Sequence, residues 1–249
     1  MSSVAAPTVA PATPAPWGAP SAVPSVATGQ VGPGQVGPLL NLQALIDAPA
    51  SLDPYQHLLI ENFLTPGAAQ RLTDDYPDLS VPGYIAMERE ALTPTFRQLE
   101  DELKGEALTQ ALSEKFGRDF HPYPRMITLH RWSHLKEGHI HTDSKRKIMT
   151  MLLYLNPSWV EDAGGKLRVL YDGKNFDPYA REVSPTIGTS FAFTRSENSW
   201  HGHLPFEGER RVIQVTWLLD DKAVSRKTSN SRFHRWLKAL FAGKTSDQM

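Results

Sequence analysis

His141 and Asp143 stand one residue apart in the run His139-Ile140-His141-Thr142-Asp143. On a β-strand, residues i and i+2 share a face, so the imidazole and the carboxylate converge on one point. Together they make two-thirds of a 2-His-1-carboxylate facial triad, a donor set that holds non-haem Fe(II) and leaves positions open for a cosubstrate and oxygen. The third ligand is expected from a distant histidine, with a cation beyond it to hold an anionic cosubstrate. His201, in Trp200-His201-Gly202-His203, and the pair Arg210-Arg211 follow in that order.

Two further histidines compete. His139 shares a strand face with His141, and His203 with His201. On the residues alone, a four-histidine site or a cupin-like centre stays open. A cupin would follow its His-x-His with Glu three or four residues on, but Ser144, Lys145 and Arg146 occupy that window. His139 and His203 are therefore read as hydrogen-bonded structural residues. For the anion, arginine offers a fork of donors that matches a carboxylate and keeps its charge at any working pH. Arg210 and Arg211 are adjacent, so on a strand one points inward and the other to solvent. Tyr154 can add a hydroxyl to the same carboxylate.

Strands must position these groups, and the sequence supplies them from Pro124 onward. Met126–Leu129 and the apolar run Ile148–Leu155 come first, the latter ended by Asn156-Pro157. Leu167–Tyr171, Thr189–Thr194, Trp200–His203 and Arg211–Leu219 complete the set. Many short strands separated by Gly, Pro and Asn predict a sandwich or jelly roll.

Upstream, His57–Ile60 reads as a first strand. Thr65-Pro66 reads as the start of a helix reaching Pro77, with Thr as N-cap and Pro in the first turn. Two more helices are expected at Phe96–Leu103 and Ala107–Phe116, the second stopped by Gly117. The domain is thus read as residues 39–222, with an α-rich part over 39–122 and a jelly-roll core over 123–222.

The ends are of other kinds. No charged residue occurs from Met1 to Ile46, and Gly-Gln-Val-Gly-Pro repeats in tandem over 29–38. A Pro/Ala/Gly-rich segment of this sort predicts a disordered tail over residues 1–38. It lacks the basic start and unbroken apolar core of a secretory signal. Over 223–249, Phe233, Trp236, Leu237, Leu240 and Phe241 recur at helical spacing among basic residues. This predicts a basic amphipathic helix that docks on its own core or on a second copy, giving a homodimer. Attachment to a membrane surface is the lesser reading.

Bulk composition adds limits. The 249 residues are 40% hydrophobic and 21% charged, ordinary for a globular domain with a core. A net charge of −1 gives no field to steer the molecule to nucleic acid or membrane. The chain has no cysteine, which removes disulfides, thiolate ligands and cysteine nucleophiles and fits a cytoplasmic setting. No apolar run approaches the roughly 18 residues of a membrane span.

From about Leu129 to Asp220 the chain resembles the Fe(II)/2-oxoglutarate-dependent dioxygenases, especially the prolyl-hydroxylase-like branch. The shared motifs are H-T-D at 141–143, M-T-M-L-L-Y-L-N at 149–156 and G-G-K-L-R-V at 164–169. W-H-G-H-L-P at 200–205 and E-R-R-V-I-Q-V-T-W at 209–217 close the series. The resemblance implies a mainly β fold with flanking helices around a double-stranded β-helix (jelly-roll) core. It implies iron ligation by His141, Asp143 and His201. It also implies binding of the 2-oxoglutarate C5 carboxylate by an arginine of the last strand, with Tyr154 beside it.

Many members carry Arg-x-Ser at that arginine, whereas here the pattern is Arg-Arg-Val. Alignment of the following strand favours Arg210, and counting from the metal histidine favours Arg211. Halogenases of this family have a small residue where Asp143 stands, so the carboxylate implies hydroxylation.

The function implied is hydroxylation of an unactivated C–H bond in a peptidyl or small-molecule substrate, with release of succinate and carbon dioxide. Fe(II), 2-oxoglutarate and O2 are the implied cofactor and cosubstrates, with ascorbate as a reductant. The rival is a non-catalytic jelly-roll protein that binds metal or a partner. Lys145, Arg146 and Lys147 are open to two readings, as a solvated loop or as a preference for an acidic substrate.

Overall fold

The computed structural model describes residues 37–79, 83–87, 92–161, 163–222 and 224. Apart from residues 37, 38 and 224, the expected tail over 1–38 and amphipathic helix over 223–249 lie outside the described residues. The N-terminal part runs α1 (Leu42–Asp47), β1 (Ala50–Ser51), β2 (His57–Ile60), α2 (Ala68–Asp74), β3 (Ile85–Ala86), α3 (Pro94–Lys104) and α4 (Glu106–Phe116). Then come β4 (Arg125–Ser133), β5 (Lys147–Tyr154), β6 (Leu167–Leu170), β7 (Tyr179–Val183), β8 (Ser190–Thr194), β9 (His201–His203) and β10 (Gly208–Leu218). None of the helices among the described residues is long and apolar enough to cross a membrane.

Local chemistry explains most helix ends. The Thr93 side chain accepts from Phe96 N at 3.3 Å, and Pro94 opens α3. Gly117 closes α4 at φ 60°, a left-handed cap that glycine adopts without a Cβ penalty. Thr65 does not cap α2. Its hydroxyl donates to Pro38 O at 2.5 Å and its N–H to Leu39 O at 2.9 Å, so both polar groups tie down the start of the domain. The helix starts instead after Gly67, at φ 80°, and stops at Asp74, short of the expected Pro77.

The strands form two sheets, one of seven strands in the order β1-β2-β8-β5-β10-β4-β3 and one of three in the order β7-β6-β9. This is the jelly roll expected. The period-2 alternation of the central strands then sorts side chains into two layers. On β5, Met149, Met151 and Leu153 join the core shared with the helices, which also holds Phe96, Leu99 and Leu112. Leu152 and Tyr154 turn to the other face, where they pack with Leu167, Val169, Phe191, Phe193 and Val212 between the sheets. Both faces of β5 are covered, which is why the strand reads as an unbroken apolar run. Each such fully buried aliphatic side chain contributes about 1.5–3 kcal/mol.

The sequence signal missed β1, β3 and β7, along with α1. β7 is an edge strand that alternates exposed and partly buried residues and carries Arg181 and Glu182, so it offers no apolar run. The His139–Asp143 stretch is not a strand either. Its one sheet contact is a bridge between His141 and His201.

Candidate active site

That bridge brings the histidines together. His141 N donates to His201 O, and His201 N to His141 O, each at 3.0 Å. Residues that exchange both bonds are direct cross-strand neighbours, and the two imidazoles lie with centroids 4.4 Å apart. Gly202 permits the approach. A Cβ on Gly202 would lie 2.7 Å from Gly138 O, inside any real contact.

Hydrogen bonding fixes both rings. His141 Nδ1 meets His139 O at 2.8 Å, and His201 Nδ1 meets Ser199 O at 2.9 Å. A carbonyl can only accept, so each Nδ1 carries the hydrogen and each Nε2 keeps its lone pair for a metal. His141 Nε2 lies 4.0 Å from Asp143 Oδ1. One donor atom from each of His141, Asp143 and His201 falls within 4.8 Å of the others, a spacing that can hold one ion.

Asp143 is buried at 5% exposure and held on both oxygens. Lys147 Nζ donates to Oδ1, and Thr150 Oγ1 donates to Oδ2 at 2.5 Å. Burial works to raise this carboxyl, but Lys147, His201 and Thr150 outweigh it and hold the group at about 2. Burial pulls His201 down to about 4. Both groups are therefore in their metal-binding forms at neutral pH.

A cavity of about 530 Å³ opens beside these three residues. Arg210 lies in its wall, 3% exposed, with Nε donating to Gly165 O at 2.8 Å. Its guanidinium carbon sits 5.4 Å from the centre of the Tyr154 ring. The Tyr154 hydroxyl is fully buried and has no hydrogen-bond partner among the described residues. Burial pushes it up to about 12, against the pull of Arg210. An orphaned buried hydroxyl costs stability unless a ligand completes it. Beside a buried arginine, the missing partner fits a carboxylate.

The other sequence candidates stand outside the three-residue cluster. Arg211 turns to the opposite face of β10, where it pairs with Glu209 at 3.0 Å and stacks on Tyr76 at 4.9 Å. His139 is exposed and contributes its carbonyl to His141. His203 is buried in the cavity wall with Nδ1 on Leu204 O at 2.9 Å, outside the three-residue cluster.

Sequence reading missed Thr150, Glu137 and Tyr84, which also line the cavity, and saw Lys147 only as part of a basic run. Thr150 left a faint signal, as the one polar residue within a buried apolar strand and on the same face as Leu152 and Tyr154. Tyr84 left none, because the register that brings β3 beside β4 is a tertiary matter.

Residues 127–219 match a sequence model of the 2OG-Fe(II) oxygenase superfamily. Among solved structures, the chain is similar to a prolyl-4-hydroxylase of Pseudomonas putida. The identity there is 20%, the cover is 74% of this chain and 96% of that one, and the TM-score is 0.51. It is also similar to a prolyl 4-hydroxylase of Phytophthora capsici, at 20% identity and a TM-score of 0.50, over 72% of this chain and 63% of that one. The chain thus spans less than two thirds of the Phytophthora chain. No curated protein matches. At such identities the structures establish a shared fold, and His141, Asp143, His201 and Arg210 all fall inside the matched segment. Residues 127–219 are thus similar to the 2OG-Fe(II) oxygenase superfamily, and the wider chain shares its fold with prolyl hydroxylases.

Proposed function

We propose that this chain hydroxylates an unactivated C–H bond of a peptidyl or small-molecule substrate while 2-oxoglutarate is converted to succinate and carbon dioxide. The observation that carries the reading is the pairing of two features across one cavity. On one side stand two Nε2 lone pairs and a charged carboxylate, and on the other a buried arginine beside an unpartnered tyrosine hydroxyl.

In this reading His141, Asp143 and His201 would hold Fe(II), which when bound supplies the oxygen chemistry. The chain's own residues do the rest. His139 O and Ser199 O hold the hydrogens on the Nδ1 atoms, so the rings keep the tautomer a metal needs. Arg210 and the Tyr154 hydroxyl, both buried, would donate to the C5 carboxylate of 2-oxoglutarate. Gly165 O fixes the guanidinium orientation. The carboxylate of Asp143 supports hydroxylation over halogenation. The prolyl hydroxylases to which the fold is similar favour a peptidyl substrate over a metabolite. The lack of cysteine supports a cytoplasmic setting.

The test is anaerobic addition of Fe(II) with and without 2-oxoglutarate, followed by visible absorption. A weak band that needs both components supports the reading. Iron binding without any such band would instead favour the non-catalytic metal protein.

A further inference from the structure

We propose that Glu137 is a substrate-binding residue and that it receives a protonated amine or guanidinium of the substrate. The inference rests on the oxygenase reading and names a substrate chemistry for the same cavity. Glu137 lines that cavity together with His141, Asp143, His201 and Arg210. It ends the turn after β4, where its N–H donates to His134 O at 2.9 Å.

Its carboxylate is held by one oxygen and free at the other. Oε2 is met by Ser133 Oγ and by His130 Nε2, each at 3.0 Å. Both partners are fully or almost fully buried. His130 is itself clamped, with Nδ1 on Arg210 O at 3.1 Å and the Tyr84 ring stacked at 4.6 Å. These bonds fix Oε2, and His130 in turn rests on the backbone carbonyl of Arg210. Oε1 accepts no hydrogen bond among the described residues, and the side chain keeps 33% exposure. Holding one oxygen rigidly while presenting the other to a cavity is an arrangement for a ligand.

The remaining charges of the cavity are committed within it. Lys147 is bound to Asp143, and Arg210 is held at Gly165 O facing Tyr154. Glu137 is left as the acceptor with capacity to spare, and a charged donor binds such an oxygen about twice as strongly as a neutral one. The basic run beside the metal ligands does not oppose this. Lys145 is 82% exposed and pairs with Glu197, and Arg146 is exposed, so only Lys147 reaches the cavity.

Full-length protein loaded with Mn(II) and 2-oxoglutarate is titrated calorimetrically with Nα-acetyl-lysinamide and agmatine. The comparison ligand is Nα-acetyl-6-hydroxynorleucinamide, the uncharged hydroxyl isostere of the first. The cationic probes are expected to bind about tenfold more tightly than the isostere. In Glu137→Gln this preference should vanish while Mn(II) and 2-oxoglutarate bind as before. Equal binding of the probes, a preference that survives Glu137→Gln, or no binding of any probe to the loaded protein overturns the inference. Failure of 2-oxoglutarate itself to bind the wild-type chain would overturn the oxygenase reading, and this inference with it. If Glu137→Gln loses metal and cosubstrate, Glu137→Asp decides. It keeps the charge, shortens the reach and should still lose the preference.

Discussion

Arg210 and Arg211 are consecutive in the chain and serve opposite faces of one strand. Arg210 is buried against Gly165 O, and Arg211, rather than pointing to solvent as expected, packs mostly buried on the other face with Glu209 and Tyr76. Replacing each by alanine should separate the two roles. Arg210→Ala removes buried charge-assisted donors and should weaken 2-oxoglutarate binding by about 10- to 100-fold, with iron affinity little changed. Arg211→Ala should leave 2-oxoglutarate binding within about threefold and lower stability instead, through lost packing on Tyr76. Titration of both variants with 2-oxoglutarate checks this, and an equal loss in the two would reject the assignment.

Tyr154→Phe should give a less usual pattern. The wild-type hydroxyl is buried without a partner, so removing it should leave the melting temperature of the metal-free protein unchanged or higher. The same variant should bind 2-oxoglutarate about tenfold more weakly. Thermal melting and cosubstrate titration on one preparation test both halves. A loss of stability with full 2-oxoglutarate affinity would make Tyr154 an ordinary core residue.

Asp143→Ala and His201→Ala should each abolish stoichiometric Fe(II) binding and succinate formation while far-ultraviolet circular dichroism stays native. His203→Ala should keep iron affinity within about threefold, because His203 stands outside the donor cluster. An inactive His203→Ala beside an active His201→Ala would show the ligands to be misassigned.

Gly202→Ala tests how the fold brings the ligands together. The added methyl would meet Gly138 O at 2.7 Å and push the 138–141 segment off β9. Iron affinity should fall by about tenfold or more, as for other changes that disturb ligand orientation. The circular dichroism spectrum should not change. Undiminished iron binding would mean that His141 is not held through this contact.

Acid should weaken the metal-free protein in two stages. Burial lowers His201 and His203 from the usual 6.5 to about 4. Between those values the unfolded chain takes up protons that the folded one refuses, so stability falls as pH drops from about 6.5 toward 4. Asp143 is held at about 2, below the usual 3.8. Its contribution is complete above 3.8 and lost as pH falls through 2. Melting temperatures of metal-free protein should decline from pH 7 to pH 5, and less so in His203→Asn. A flat wild-type profile would argue against neutral buried imidazoles.

Much of this was legible in the sequence, for identifiable reasons. The Ile148–Leu155 run sits in the centre of a sheet covered on both sides, and such a strand cannot hide its apolar character. Thr93-Pro94 and Gly117 mark their helix ends because capping is local chemistry. His141, Asp143 and His201 stood out by type and order, though the reason first given for their convergence was incomplete. They meet through one bridge between an irregular segment and β9, not through two regular strands. What stayed hidden depends on distant partners. Thr65 looked like a cap until Pro38 and Leu39 claimed its polar groups. Glu137 gains its bearing only from His130 and Ser133 in the fold.

The alternation along β10 ties function to packing more tightly than any single contact. Arg210, Val212 and Gln214 belong to the inner face, while Ile213, Val215 and Trp217 fill the layer beneath the helices. A slip of one position would exchange the two sets, driving a guanidinium into hydrocarbon and an indole toward the cavity. The strand therefore has no partly correct alignment. Apolar packing beneath the helices acts as a proofreader for the chemistry on the opposite side, rejecting misaligned strands before any ligand arrives.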